Sequence, residues 1–148
     1  MKKLLLALTV VAAAPVALAD IWINPGFYSH HFDTSKNLNN NNHGFGVEAT
    51  ISNTYSLTAG VFENSDRQTS HYIGAYVMPF QRGSFKAGAA VGAFDGYPKM
   101  REGGWFPAVV PTMAIESRRV GLNVFFIPKI GDKVNSALAF QLKFNIAP

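Results

Sequence analysis

Ala137-Leu138-Ala139-Phe140-Gln141-Leu142-Lys143-Phe144-Asn145-Ile146 sets large apolar residues at every even position and small or polar residues at every odd one. Successive side chains of a strand point to opposite faces, so the stretch reads as a β-strand with one apolar face and one small, polar face. A helix would scatter Leu138, Phe140, Leu142 and Phe144 around its axis. The bulky face is the uniform one. A soluble sandwich would turn such a face into its core, but a strand crossing a bilayer turns it out to lipid.

The same period runs upstream. Phe45, Val47, Ala49 and Ile51 alternate with Gly46, Glu48, Thr50 and Ser52. Tyr55, Leu57, Ala59 and Val61 alternate with Ser56, Thr58 and Gly60, and Leu122, Val124 and Phe126 behave alike. The pattern predicts eight strands, at 22–32, 44–52, 54–64, 70–79, 84–94, 104–115, 119–128 and 134–146. Many approach the roughly 9–11 residues of a membrane-crossing strand. The turns after the second, fourth and sixth strands are short, around Asn53, Gln81-Arg82-Gly83 and Ser117-Arg118. The other connections are longer and polar: Asp33 to His43, Ser65 to Thr69, Asp95 to Gly103 and Lys129 to Lys133. An even strand count with short turns at one end and long loops at the other is the pattern of an outer-membrane barrel. The expected fold is therefore all-β, an eight-stranded antiparallel transmembrane β-barrel, with its long loops facing outward. A secreted β-sandwich is the competing architecture. Aromatic residues near the strand ends favour the barrel, because they suit interfacial girdles: Trp22, Phe27, Tyr28, Phe32, Tyr55, Phe80, Tyr97, Trp105 and Phe106. Closure follows, since hydrocarbon offers backbone groups no partner. Eight strands leave room inside for side chains or one slim ligand, not a water-filled pore.

The N-terminus reads as an address. Met1-Lys2-Lys3 is basic, Leu4 to Ala14 is an apolar run of 11 residues, and Ala17-Leu18-Ala19 is a small-x-small cleavage pattern. The run falls short of the roughly 20 apolar residues of a spanning helix, so residues 1–19 are expected to be a cleaved signal peptide and residues 20–148 the barrel domain. The sequence has 13 Lys and Arg; without Lys2 and Lys3, 11 remain against 9 Asp and Glu, a net charge of +2. That leaves no basic stripe for nucleic acid. The absence of cysteine fits a bacterial envelope protein built without disulfides. The expected location is the bacterial outer membrane, and the expected state a monomer. Asn37-Leu38-Asn39-Asn40-Asn41-Asn42 is a low-complexity tract, read as a mobile surface loop.

Chemistry has few places to sit. His30, His31, His43 and His71 show no metal-ligand spacing, and neither a phosphate loop nor a Gly-x-Ser-x-Gly elbow is present. No metal and no cofactor are expected. Ser29-His30-His31-Phe32-Asp33 ends the first strand and Asn64-Ser65-Asp66-Arg67 ends the third. The turn asymmetry places both at the same rim. A serine hydroxyl becomes a nucleophile when an imidazole takes its proton, and a polar neighbour can fix that imidazole's tautomer. These residue types suit acyl transfer or ester hydrolysis, although a histidine at a strand end is commonly just solvated.

Short pieces in a fixed order carry a resemblance. They are His31-Phe32, Gly44-Phe45-Gly46, Ala59-Gly60-Val61-Phe62-Glu63-Asn64-Ser65, Tyr72-Ile73-Gly74-Ala75-Tyr76, Phe106-Pro107-Ala108-Val109-Val110-Pro111, Phe126-Ile127-Pro128 and Ala139-Phe140-Gln141-Leu142-Lys143-Phe144. In these the chain resembles the PagP-like lipid A palmitoyltransferases, and more closely the small envelope barrels that share their pattern. The resemblance implies an outer-membrane acyltransferase that moves a palmitoyl-like chain from a phospholipid to lipid A. It puts the family's histidine on His31, with His30 a rival, since neighbours on a strand face opposite ways. It puts the family's serine on Ser65, as the group His31 activates or as a polar positioner. The aspartate before that serine is Asn64 here, which can orient a histidine but supplies no charge. Arg67, Lys99 and Arg101 on the loops would hold lipid A phosphates. Pro107, Pro111 and Pro128 would weaken pairing between the sixth and seventh strands and open a side gate. Gly88, Ala89, Ala90, Gly92 and Ala93 would leave room inside for an acyl chain. The chain departs from the family in lacking a helix ahead of the first strand. The competing functional reading is a non-catalytic outer-membrane barrel that alters the cell surface for adhesion or exclusion, and a lipid A deacylase is a third.

Overall fold

The computed structural model describes residues 20–148. The predicted signal peptide lies outside the described residues. Eight strands follow in chain order: β1 (Ile21–His31), β2 (Asn41–Thr50), β3 (Tyr55–Glu63), β4 (Thr69–Arg82), β5 (Phe85–Phe94), β6 (Phe106–Glu116), β7 (Val120–Ile127) and β8 (Ala137–Asn145). Each pairs antiparallel with its neighbours, and β8 returns to β1 to close the barrel. The eight-stranded antiparallel barrel expected from the alternation is the fold. The three connections 51–54, 83–84 and 117–119 form a turn end, and the four longer ones a loop end.

Alternation divides the residues as the sequence implies. Phe45, Val47, Leu57, Ile73, Val109, Leu142 and Phe144 stand exposed on the outer wall, while Glu48, Thr58, Gln141 and Lys143 are buried inside. An exposed apolar wall of this extent is suited to lipid, not water. Tyr28, Phe32 and Trp105 project outward near the loop end, and Tyr55 and Phe80 near the turn end, as two girdles. Trp22 and Phe106 were expected in those girdles and are instead buried inside, and Phe27 and Tyr97, expected there too, line the interior. The inward face at Trp22 is polar, and its ring is covered by Lys143 Nζ at 4.7 Å from the centroid.

The lumen is filled in layers. At the turn end Lys143 Nζ bonds both Glu48 oxygens (2.9 and 2.8 Å) and Glu116 (2.7 Å), and Lys86 bonds Glu116 at 2.8 Å. Above this floor Phe27 packs edge-on against Phe62, Tyr72 and Phe125, with centroids 5.0, 5.8 and 5.6 Å away. Gly46 and Gly60 face this layer because a Cβ at either would land on the Tyr72 hydroxyl. Gly88 and Gly92 serve close approach of β4 to β5, where a Cβ would strike the β4 backbone. The room expected from the small residues of β5 is thus partly used by the wall itself.

One bulge decides which residues reach the loop-end lumen. Pairing of β1 with both β2 and β8 slips by one residue between Asn24 and Tyr28. Gly26 sits there at φ +99°, a conformation that glycine adopts at little cost. Before the bulge Trp22 and Asn24 face in; after it Ser29 and His31 do. Without the extra residue, strict alternation from Trp22 would have turned His30 inward.

Candidate functional site: a serine, a histidine and an asparagine at the loop end

The bulge leaves His31 buried and His30 exposed, so His31 is the histidine of the site. Its Nε2 lies 2.9 Å from Ser65 Oγ and its Nδ1 lies 2.7 Å from Asn40 Oδ1. The amide oxygen of Asn40 can only accept, so Nδ1 carries the proton and donates it there. Nε2 is then the unprotonated nitrogen, placed to accept from the Ser65 hydroxyl. This is the order of roles in a nucleophile–base–orienter triad, with an amide in the orienting place.

Asn40 is the residue that sequence reasoning missed. It belongs to the asparagine tract expected to be a mobile loop, but that tract is tied to the barrel and its last two residues enter it. Asn41 and Asn42 begin β2, opposite Tyr28 and Phe27. Asn42 accepts from Ser29 Oγ at 2.6 Å and donates to the Glu63 carbonyl at 2.9 Å. Asn39 donates its side-chain amide to Glu63 at 2.9 Å, and its backbone N–H to the Ser65 carbonyl at 2.9 Å. The signal available was that asparagine serves both turns and side-chain bonding; repetition hid which copy mattered.

Asn64, expected to orient the histidine, does not touch it. It is fully buried, and its Oδ1 accepts from the backbone N–H of Asp66 (2.9 Å) and Gln68 (3.1 Å), closing the turn that carries Ser65. Its Nδ2 donates to Ser70 Oγ at 2.8 Å and to the Gly96 carbonyl at 2.9 Å. An aspartate could make the first pair of bonds and not the second. Asn64→Asp is therefore expected to destabilise the barrel by about 1–3 kcal/mol, and not to raise activity. Unfolding in urea beside the unsubstituted chain checks this.

Arg67, Lys99 and Arg101 line neither cavity of the site. They are exposed at the loop end and bond backbone carbonyls: Arg67 that of Asn37 (3.0 Å), Lys99 that of Asp132 (3.4 Å) and Arg101 that of Trp105 (3.3 Å). The cation beside the site is Lys133, which sequence reasoning did not single out.

Two cavities meet at Ser65. A chamber of about 90 Å³ lies inside the barrel, lined by Phe27, Phe62, Tyr72, Ala90, Gly92 and Phe125. A groove of about 260 Å³ runs from His31 and Ser65 past Pro107, Val109, Pro128 and Lys133. The groove follows a lapse in the wall. β6 pairs with β5 along ten residues but with β7 only from Thr112 to Glu116, so Phe106 to Pro111 have no partner on that side. Pro107 and Pro111 in this stretch lack the N–H that a ladder needs. Thr112 Oγ1 compensates in part, donating to the Val110 carbonyl at 2.8 Å. The side opening expected between the sixth and seventh strands is present at the loop end. Among the described residues no group of His, Asp and Glu is arranged to hold a metal.

No protein-family model matches the chain, and none of the curated proteins does. Solved structures do. A de novo designed barrel, TMB2.3, known from solution NMR, superposes with a TM-score of 0.62 at 15% identity, over 91% of this chain and all of that one. A second structure, from the de novo design of transmembrane β-barrels, gives 0.59 at 13% identity, over 90% of this chain and 98% of its own. The likeness is one of fold. It shows a small closed antiparallel barrel and carries no activity.

The Asn40 contact makes a prediction. Asn40→Ala removes one hydrogen bond to the histidine, a net effect of about 0.5–1.5 kcal/mol, and is expected to lower the kcat of a reaction run by Ser65 and His31 up to about tenfold. Asn40→Asp is expected to keep the rate. Steady-state assay of both variants, with folding confirmed by heat-modifiable migration, checks this.

Proposed function

We propose that this barrel is an outer-membrane acyltransferase that moves an acyl chain from a phospholipid to lipid A. The reading rests on one observation: the aligned Ser65, His31 and Asn40 sit where an inner chamber and a groove open to the barrel's flank meet. A phospholipid can enter such a groove sideways from the bilayer, with its ester carbonyl at Ser65. The chemistry is then two balanced halves. The Ser65 hydroxyl gives its proton to His31 Nε2 as its oxygen attacks the ester carbonyl. The tetrahedral intermediate expels the lysophospholipid oxygen, which takes that proton from Nε2. A hydroxyl of lipid A next gives its proton to Nε2 and attacks the acyl-serine, and Ser65 leaves with the proton restored. Asn40 holds the ring through both halves. Lys133 faces the groove as a partner for the donor's phosphate, and Arg67, Lys99 and Arg101 are offered to the phosphates of lipid A.

The test is reconstitution. Folded protein in detergent, given a diacyl phosphatidylethanolamine and lipid A, should form lysophospholipid and acylated lipid A in equal amounts. Lysophospholipid with free fatty acid and no new lipid A species would make the protein a hydrolase. No product would leave the surface-altering barrel as the reading.

A further inference from the structure

An acyl-transfer site must hold the oxyanion that forms when the carbonyl is attacked. Backbone N–H groups next to a nucleophile often do this, but here those after Ser65 are taken. Asp66 and Gln68 donate to Asn64 Oδ1, and Arg67 donates to the Asn64 carbonyl at 3.0 Å. Beyond the N–H of Ser65 itself, a side-chain donor is needed at the point where chamber and groove join.

We propose that Tyr97 is the side-chain oxyanion donor of this site, set against Ser65 by Asn64. Tyr97 lines the chamber and the groove, as Ser65 does. Lys133 and Asn135 line only the groove, and Asn135 already accepts from Lys36 at 2.8 Å. The Tyr97 ring is fixed edge-on against Phe106, with centroids 5.8 Å apart. Burial and the nearby Asp66 carboxylate hold its phenol well above the ordinary range, so it stays a proton donor. The preceding residue, Gly96, has φ +79°, and its carbonyl accepts from Asn64 Nδ2 at 2.9 Å. Asn64 therefore clasps the Tyr97 loop with one end of its amide and the Ser65 turn with the other. This explains why an amide, and not a carboxylate, stands before Ser65: the clasp needs two donors as well as two acceptor sites.

In the step, Ser65 oxygen bonds to the carbonyl carbon, the carbonyl π electrons move to its oxygen, and the Tyr97 phenol donates a hydrogen bond to that anion without losing its proton. The proposal rests on the acyl-transfer reading, and one experiment separates the two. With a diacyl phosphatidylethanolamine as donor and lipid A as acceptor, lysophospholipid release is followed for the unsubstituted protein, Tyr97→Phe, Ser65→Ala and the double variant. Tyr97→Phe should lower kcat roughly 10²–10³-fold with KM nearly unchanged, and should add nothing to Ser65→Ala. The phenyl ring keeps the packing on Phe106, so heat-modifiable migration should match the unsubstituted barrel. A Tyr97→Phe protein with full kcat, or with a change confined to KM, overturns the role of Tyr97 and leaves acyl transfer standing. An unsubstituted protein that releases no lysophospholipid overturns both.

Discussion

His31→Ala is expected to abolish acyl transfer, with a loss of roughly 10⁴-fold or more, while the barrel still folds. The imidazole takes and returns every proton in the proposed cycle, and no other described base lies on Ser65. Groups that act as a unit fail as a unit, so Ser65→Ala should cost about as much, and the double variant little more than either. Stability should change little, because the substitution removes two hydrogen bonds at a rim with cavities on two sides. His30→Ala, one residue away on the outer face, should leave the rate alone. Initial rates of lysophospholipid release from the four variants, beside the unsubstituted protein, check the set. A His31→Ala protein that retains a tenth of the rate would remove the general base from the mechanism.

Lys143→Ala is expected to cost about 3–5 kcal/mol of stability, the largest effect for a residue remote from the site. Lys143 is only 1% exposed, and its ammonium bonds Glu48 and Glu116 together. Removing it leaves Glu48, itself 3% exposed, as an unpaired charge at the lumen floor. Glu116 retains Lys86. The cost comes from stranding that charge, not from any large net gain in the pair. Hence Glu48→Gln with Lys143→Met should recover most of the loss, because the isolated charge is gone and volume is kept. Urea unfolding of the barrel in lipid vesicles measures both. Equal stability of the single and double variants would show that the floor is hydrated and the pair not truly buried.

The wall of the barrel was legible because membrane and lumen impose a two-residue period on nearly every strand. The lumen side was less so. β1 obeys the period twice, in opposite phase, and Pro25-Gly26 is the only sign of the change. Alternation alone therefore could not choose between His30 and His31; the resemblance put His31 first, and the bulge gives the reason. Trp22 reads as an interfacial anchor by type, yet a lysine inside the barrel draws its ring inward. The resemblance makes Asn64 an orienting group, since it stands where the family has an aspartate before the serine. Local turn chemistry claimed its oxygen, and a contact 32 residues away claimed its nitrogen. Asn40 could not be picked from four neighbouring asparagines, since only the bulge in β1 and the start of β2 bring it to His31. The side opening was legible, as prolines without a ladder N–H stand where the pairing lapses.

The most direct measurement is mass spectrometry of lipid A from bacteria expressing this chain, beside cells expressing Ser65→Ala or His31→Ala. Acyl transfer predicts a new lipid A species heavier by one acyl chain, absent from both variants. Unchanged lipid A, or a species lighter by one chain, with the folded barrel present in the membrane fraction, would contradict it.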